Sequence, residues 1–176
     1  MAVPVDQRRF ADLYMEDILP FERLVHAGLP GIMAGHVVYQ RIAQEPASLS
    51  PFWLQQVLRN RMGFQGVIFS DDLGMQGASV AGDLLDRARA AHRAGCDMIL
   101  LCNELDAIPR LLDGLQPGAD PAAQARLVRM HGRQAAGRSA LLRDPAWHQA
   151  AVTIAAMEEA TSLELDLGEP GDEAPA

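Results

Sequence analysis

The sequence predicts an α/β fold made of three βα units of the kind found in a (β/α)₈ barrel, followed by C-terminal helices. Three observations carry that prediction. The apolar runs Ile32-Met33-Ala34, Val67-Ile68-Phe69 and Met98-Ile99-Leu100-Leu101 show no polar–apolar alternation, the mark of strands covered on both faces in a parallel sheet. Helical patterns fill the gaps between them, giving a βα period of about 30–35 residues with right-handed crossovers. The polar, Gly-rich segments, His36 to Ser50 and Asp71 to Gly82, both follow strand C-termini. That is where a barrel keeps its chemistry, so a barrel is favoured over a doubly wound sheet. Three strands cannot close a barrel, which takes eight βα units and about 250 residues, so the barrel is expected to be incomplete.

The elements follow in order. Asp17 is expected to cap a helix with Pro20 in its first turn, apolar positions at Phe21, Leu24 and Val25, and Gly28 as its stop. After the first strand, Ser50-Pro51 reads as an N-cap with proline at the first helical position. That helix carries Trp53, Leu54, Val57 and Leu58 on one stripe and stops at Gly63. A third helix runs from about Gly82 to Ala94, closed by Gly95. Beyond Leu105 the chain turns helical and Ala-rich. Asp120-Pro121 starts one helix with Leu127 and Met130 on its face, and another runs from about Pro145 to Leu163 with Trp147, Val152, Ile154 and Met157. Trp53 and Trp147, both in helical stripes, are expected to pack. The tail GEPGDEAPA is acidic and Pro/Gly-rich and reads as disordered. The expected division is 1–115 partial barrel, 116–165 C-terminal helices and 166–176 tail.

Composition narrows the function. The 176 residues are 49% hydrophobic with a net charge of −8, enough for one ordinary core and unsuited to nucleic acid or an anionic membrane as partner. All 15 basic Lys+Arg residues are Arg. The N-terminal MAVPVDQRRF lacks the basic-then-apolar order of a signal peptide, so a cytoplasmic location is expected. Cys96 and Cys102 flank one apolar run without further ligands beside them and are expected to be buried free thiols, with no metal and no cofactor.

The chemistry centres on Asp71 and Asp72, two carboxylates just beyond the second apolar run. A strand-end carboxylate can attack an anomeric carbon, stabilise an oxocarbenium-like transition state or bind a metal. Asp pairs after strands also serve as helix caps or partners for Arg, and Asp72 fits that use through the amides of the Gly74 to Gly77 turn. His36, at another strand end, reads as either a structural His or a substrate-side group. Tyr39 is a weaker wall residue, and Asn103 a polar contact after the third strand. His26, His92, His131 and His148 sit in helical contexts and read as surface residues. A Mg²⁺-dependent phosphotransfer site on Asp71 and Asp72 is disfavoured, because no phosphate-binding Gly-Lys-Ser/Thr motif accompanies them.

Longer stretches sharpen this. GFQGVIFSDDLGMQGA, AGCDMILLCN, IMAGHVVY and SPFWLQQVLRNRMGF together resemble the bacterial cytoplasmic β-N-acetylhexosaminidases of glycoside hydrolase family 3, over roughly Val3 to Leu115. The resemblance implies a retaining hydrolase that releases terminal N-acetylglucosamine from peptidoglycan-derived muropeptides, with Asp71 as nucleophile. It makes the three strands the sixth, seventh and eighth of the barrel. His36 matches the His of the family's Pro-Ala-His-Val stretch beside the sugar, although this chain has Ala34-Gly35 where Pro-Ala is usual; Asp72 and Asn103 are further candidates for substrate binding. The family's acid/base, a His held by an Asp after a Lys-His-Phe-Pro-Gly-His-Gly stretch, has no counterpart here, nor does its Asp-Gln-Glu-Gly-Gly. The chain is therefore expected to be a C-terminal part that is inactive alone. The alternative is a non-catalytic remnant or partner subunit that associates with the missing barrel half, or with itself, through an open sheet.

Overall fold

Three parallel strands form the central sheet of the computed structural model, which describes residues 3–116, 118–132 and 137–164, with side chains through 157. Labelled with the flanking pairs, these are β2 (Gly31–Ala34), β4 (Val67–Asp72) and β5 (Met98–Leu100), in the order β2-β4-β5. β2 pairs with β4 in register Gly31↔Val67 through Ala34↔Ser70. A second parallel pair, absent from the sequence reading, joins β1 (Val5–Asp6) to β3 (Val38–Tyr39). Two-residue strands carry no periodicity that a sequence pattern could reveal. The expected tail at 166–176 lies outside the described residues.

The connections are helices on one side of the sheet. The first, α1, spans residues 10–26 and is longer than expected. Asp17 lies inside it and pairs with Arg8. Pro20 is nevertheless where the winding changes: residues Tyr14–Ile18 close i→i+5 hydrogen bonds, and ordinary α geometry resumes at Leu19. A proline inside a helix lacks an N–H and collides with the carbonyl one turn back. A widened turn just before it accommodates both defects without ending the helix.

The second helix, α2 (Phe52–Arg61), also closes i→i+5 bonds and buries the expected stripe of Trp53, Leu54, Val57 and Leu58. Its expected cap differs. The Ser50 hydroxyl donates to Glu45 Oε1 at 2.8 Å and makes no bond to the helix amides. In α3 (Leu84–Ala94) the Asp83 carboxylate accepts the Asp86 N–H, and Gly95 closes the helix at φ 117°, a left-handed conformation that glycine adopts without steric cost. Ala88, Ala91 and Ala94 form its buried face, small enough for α3 to lie close to the sheet. The core joins these alanines to Leu54, Val57, Leu58, Phe64 and Ile68. Cys96 is buried with them as a free thiol that burial pushes up to about 12. Cys102, expected to be buried, is exposed, because the chain has left the sheet by then.

The face of the sheet opposite the helices is less covered than two-sided apolar strands predict. Met33, Phe69 and Met98 are register partners across the three strands, and Met33 and Met98 are 57% and 38% exposed. Helices α4 (Ile108–Gly114) and α5 (Pro121–Val128) complete the first of two compact units, 1–131. α5, grouped by the sequence with the C-terminal helices, thus falls in the same unit as the sheet. The second unit, 132–176, holds α6 (Arg138–Leu141) and α7 (Pro145–Glu164). Trp147, expected to pack, is 45% exposed, and Val152, Ile154 and Met157 are exposed too. The apolar positions of α7 are spread around the helix instead of forming one stripe. No helix among the described residues is long and apolar enough to cross a membrane.

One carboxylate organises the strand N-termini. Asp97, with a side chain only 3% exposed, accepts Arg59 Nη2 at 2.7 Å, Arg126 Nη2 at 2.6 Å and the Ile68 N–H at 2.9 Å. Arg59 also donates to the Phe64 and Gly66 carbonyls. This joins α2, β4, β5 and α5 at a point, and burial draws the Arg59 guanidinium below its ordinary value even with Asp97 beside it. Removing one member of such a group leaves buried charges unpaired. We expect Asp97→Ala to lower the urea unfolding free energy by about 3–5 kcal/mol. Asp120→Ala, which removes only the N-cap of α5, should cost about 0.5–2 kcal/mol. Equal losses in the two variants would show that Asp97 is no hub.

Candidate active site

The apolar run at 67–69 continues as strand through both carboxylates, so Asp71 and Asp72 lie inside β4 and not beyond it. The cause lies in the pairing with β5. Phe69 faces Met98 and Asp72 faces Leu100, so three steps along β4 oppose two along β5. One extra residue is therefore bulged at Ser70-Asp71, a device that re-aims side chains and bends a strand end. Ser70 repairs the interrupted ladder: its buried hydroxyl oxygen accepts the Leu100 N–H at 2.9 Å. The Leu73 N–H then donates to the Leu100 carbonyl at 2.9 Å and resumes the link to β5.

On either side of the bulge the two carboxylates live differently. Asp72 is buried. Its Oδ1 accepts the N–H of Gly74 and of Cys102, each at 3.0 Å, and its Oδ2 accepts Asn103 Nδ2 at 3.1 Å. Burial alone would push this carboxyl up, but the two backbone N–H groups and the Asn103 amide outweigh it and hold Asp72 below the ordinary carboxylate range. Asp71 is partly exposed. Its Oδ1 accepts the Asp72 N–H at 2.9 Å, and its Oδ2 has no partner among the described residues. One carboxylate is thus enclosed by donors, while its neighbour is held by one oxygen and offers the other.

The remaining candidates divide in the same way. His36 is buried, with Nδ1 2.5 Å from Ser48 Oγ and Nε2 3.1 Å from the Asp72 carbonyl oxygen, so both ring nitrogens have protein partners. Asn103 is exposed apart from its amide bond to Asp72. It begins a groove of about 690 Å³ that continues along Glu104, Leu105, Asp106, Ala107 and Arg110. Tyr39 packs on Trp53 with ring centroids 4.6 Å apart, on the helix side of the sheet. His26, His92, His131 and His148 are exposed. Arg87 of α3 donates to the Leu73 carbonyl at 2.8 Å and ties the turn after β4 to the helix layer. Among the described residues, no group of three His, Cys, Asp or Glu side chains is placed to hold a metal ion.

The sequence reading did not find Ser48, Ser70 or Gly77. Ser70 had a signal, being a lone hydroxyl in a strand too apolar to leave it unpaired. Ser48 had none, since its partner is twelve residues away around a loop.

Residues 1–130 match the family model described as the glycosyl hydrolase family 3 N terminal domain. A beta-hexosaminidase of Thioalkalivibrio sulfidiphilus is 52% identical over 167 residues, covering 95% of this chain and 48% of the relative. One from Aromatoleum aromaticum is 47% identical over 161 residues, covering 91% and 45%. The crystal structure of NagZ from Neisseria gonorrhoeae in complex with N-trifluoroacetyl-D-glucosamine matches 89% of this chain and 45% of that one, at 35% identity and a TM-score of 0.75. The chain spans about half the length of the curated relatives it matches.

The two carboxylates should separate in solution. A carboxyl held below its unfolded value near 3.9 adds stability above that pH, and the contribution is lost as pH falls through the lower folded value. We expect Asp72→Asn to be less stable than the parent at pH 7, with the gap narrowing below about pH 4. Asp71→Asn should stay within about 0.5 kcal/mol of the parent at pH 7. Urea midpoints taken from pH 7 to pH 3 check this, and a constant gap for Asp72→Asn would contradict it.

Proposed function

This chain belongs to glycosyl hydrolase family 3, and we propose that it carries the nucleophile of a retaining β-N-acetylhexosaminidase, Asp71. The observation that carries this reading is the contrast within β4, where Asp71 has one carboxylate oxygen without a partner among the described residues, at a strand end that the Asp72 bonds hold still. A nucleophilic carboxylate has to be ionised and fixed against the anomeric carbon, and the reaction tolerates little misplacement.

In the proposed reaction Asp71 Oδ2 attacks the anomeric carbon. The bond from that carbon to the leaving oxygen breaks, and the leaving oxygen takes a proton from a general acid. A glycosyl ester on Asp71 results, and water then hydrolyses it, activated by the same group acting as base. The resemblance drawn from the sequence gives the acid/base role to a His on a loop after the fifth barrel strand. In the same reading β2, β4 and β5 are the sixth, seventh and eighth strands, and the Met33, Phe69 and Met98 side chains face the interior of the complete barrel. Asn103 and the groove beyond it border the leaving group.

The substrate we propose is a glycan ending in N-acetylglucosamine, released from peptidoglycan-derived muropeptides in the cytoplasm. Support comes from the beta-hexosaminidase relatives and from the N-acetylglucosamine analogue bound to the Neisseria protein. No cofactor takes part in this chemistry. Asp72 and His36, whose polar atoms are engaged internally, hold the nucleophile in place and do not touch the sugar.

The test uses this chain alone and joined to the preceding half of the Thioalkalivibrio relative, assayed with an aryl N-acetylglucosaminide. The joined protein should turn over, and the chain alone should be slower by at least the 10²–10⁴-fold that general acid catalysis typically contributes, about the size of the missing term. Asp71→Asn in the joined protein should lower the rate by several orders of magnitude with an unchanged urea midpoint. A fluorinated N-acetylglucosaminyl fluoride should leave a covalent adduct on the peptide containing Asp71, read by mass spectrometry. An adduct on another residue, or full turnover in Asp71→Asn, would sink the assignment.

A further inference from the structure

We infer that His36, Ser48 and Gly77 form a positioning device for Asp71 that acts through the Asp72 backbone and not through the sugar; this rests on the reading of Asp71 as nucleophile. The chain of bonds is continuous. Asp71 Oδ1 accepts the Asp72 N–H, and the carbonyl of the same Asp72 residue accepts His36 Nε2 at 3.1 Å. That carbonyl also accepts the Met75 N–H at 3.0 Å, so both of its lone pairs are engaged. The group that orients the nucleophile is thus itself held at both ends.

The tautomer of His36 follows from its partners. A carbonyl oxygen only accepts, so Nε2 carries the hydrogen. In the neutral ring Nδ1 is then the acceptor, and the Ser48 hydroxyl, 2.5 Å away, is its donor. His36 is 3% exposed and Ser48 fully buried, so no solvent replaces either bond. Without the Ser48 hydroxyl, the ring keeps an unpartnered buried nitrogen, or it changes tautomer and turns a lone pair toward the Asp72 carbonyl. Either outcome moves Asp72 and with it the Asp71 carboxylate.

Gly77 completes the seat. A Cβ there would stand 2.6 Å from His36 Cβ, closer than two such carbons approach, and 3.3 Å from His36 Cγ, a tight contact. The bare Cα lets the loop after β2 press against the turn after β4. Ser48 is tied back to the same loop through its N–H, which donates to the Gly35 carbonyl at 3.2 Å.

The test has a kinetic and a spectroscopic arm. In the joined protein, Ser48→Ala should lower kcat by about 10–100-fold. KM for the aryl glycoside and inhibition by free N-acetylglucosamine should stay within about twofold, and Ser48→Thr should recover most of the rate. Imidazole ¹⁵N NMR of the joined protein should show one histidine, assigned as His36 by its loss in His36→Gln, as a fixed Nε2–H tautomer whose signals change in Ser48→Ala. Should Ser48→Ala fail to fold, Gly77→Ala is the second variant, with the same expected fall in kcat at constant KM. An Nδ1–H tautomer in the parent, or a Ser48→Ala variant whose loss lies in KM and sugar affinity, would overturn the proposal. So would a Ser48→Ala kcat equal to the parent's while Asp71→Asn is inactive, which leaves the nucleophile reading intact. Full turnover in Asp71→Asn would overturn both.

Discussion

A carboxylate removed from water needs donors on every side, and Asp72 meets that demand with the strands and turns around it. Its acceptors draw the Gly74 turn, the Cys102 amide and the Asn103 side chain to the end of β4. An isolated buried carboxylate would be strongly disfavoured, so these donors and Asp72 require one another. The path of the chain after β4 and after β5 follows from that mutual requirement. The bulge at Ser70-Asp71 sets apart the two adjacent carboxylates, one enclosed and one offered to the open side.

The sheet has a second acidic centre at its other end, and the two divide the labour. Asp97 is paired with two guanidinium groups and a backbone amide, all at strand N-termini and remote from Asp71. A buried ion-paired cluster of that kind contributes rigidity and register. Asp72 uses neutral donors only, so its negative charge is spread without being cancelled. Among the described residues no guanidinium bonds Asp72, so none is placed there to compete for the carboxylate next door. The distinction matches the general asymmetry of barrel sheets, with stability at the N-terminal end and chemistry at the C-terminal end.

Much of this was legible before any coordinates. Unbroken apolar runs located all three strands of the sheet, because strands apolar on both faces leave no alternation to confuse the reading. Local signals placed the end of α3 at Gly95 and the start of α5 at Asp120-Pro121, while the Asp83 cap of α3 emerges only in the structure. Single-residue signals failed where a neighbouring group or turn competed with them. Asp17 reads as a cap with Pro20 in the first turn, although Asp17 lies inside a helix that a widened turn carries on to Pro20. Ser50 reads as a cap, although Glu45 captures its hydroxyl. At the end of β4, the cap-like use of Asp72 through the Gly74 turn is legible in the sequence and present in the fold. The His36–Ser48 contact and the bulge were not legible, since both depend on which residues the crossovers bring together.

Cys102 has a practical side. It is exposed, its neighbour Asn103 bonds to Asp72, and the chain's other thiol, Cys96, is buried with an acidity that keeps it protonated at neutral pH. A maleimide dye or a nitroxide should therefore attach at one place without any engineered cysteine. The absence of lysine leaves the N-terminal amine as the only competing amine nucleophile. The native chain thus comes with a single handle for fluorescence or paramagnetic labelling beside the carboxylate pair, close enough to register changes in the loop after β5.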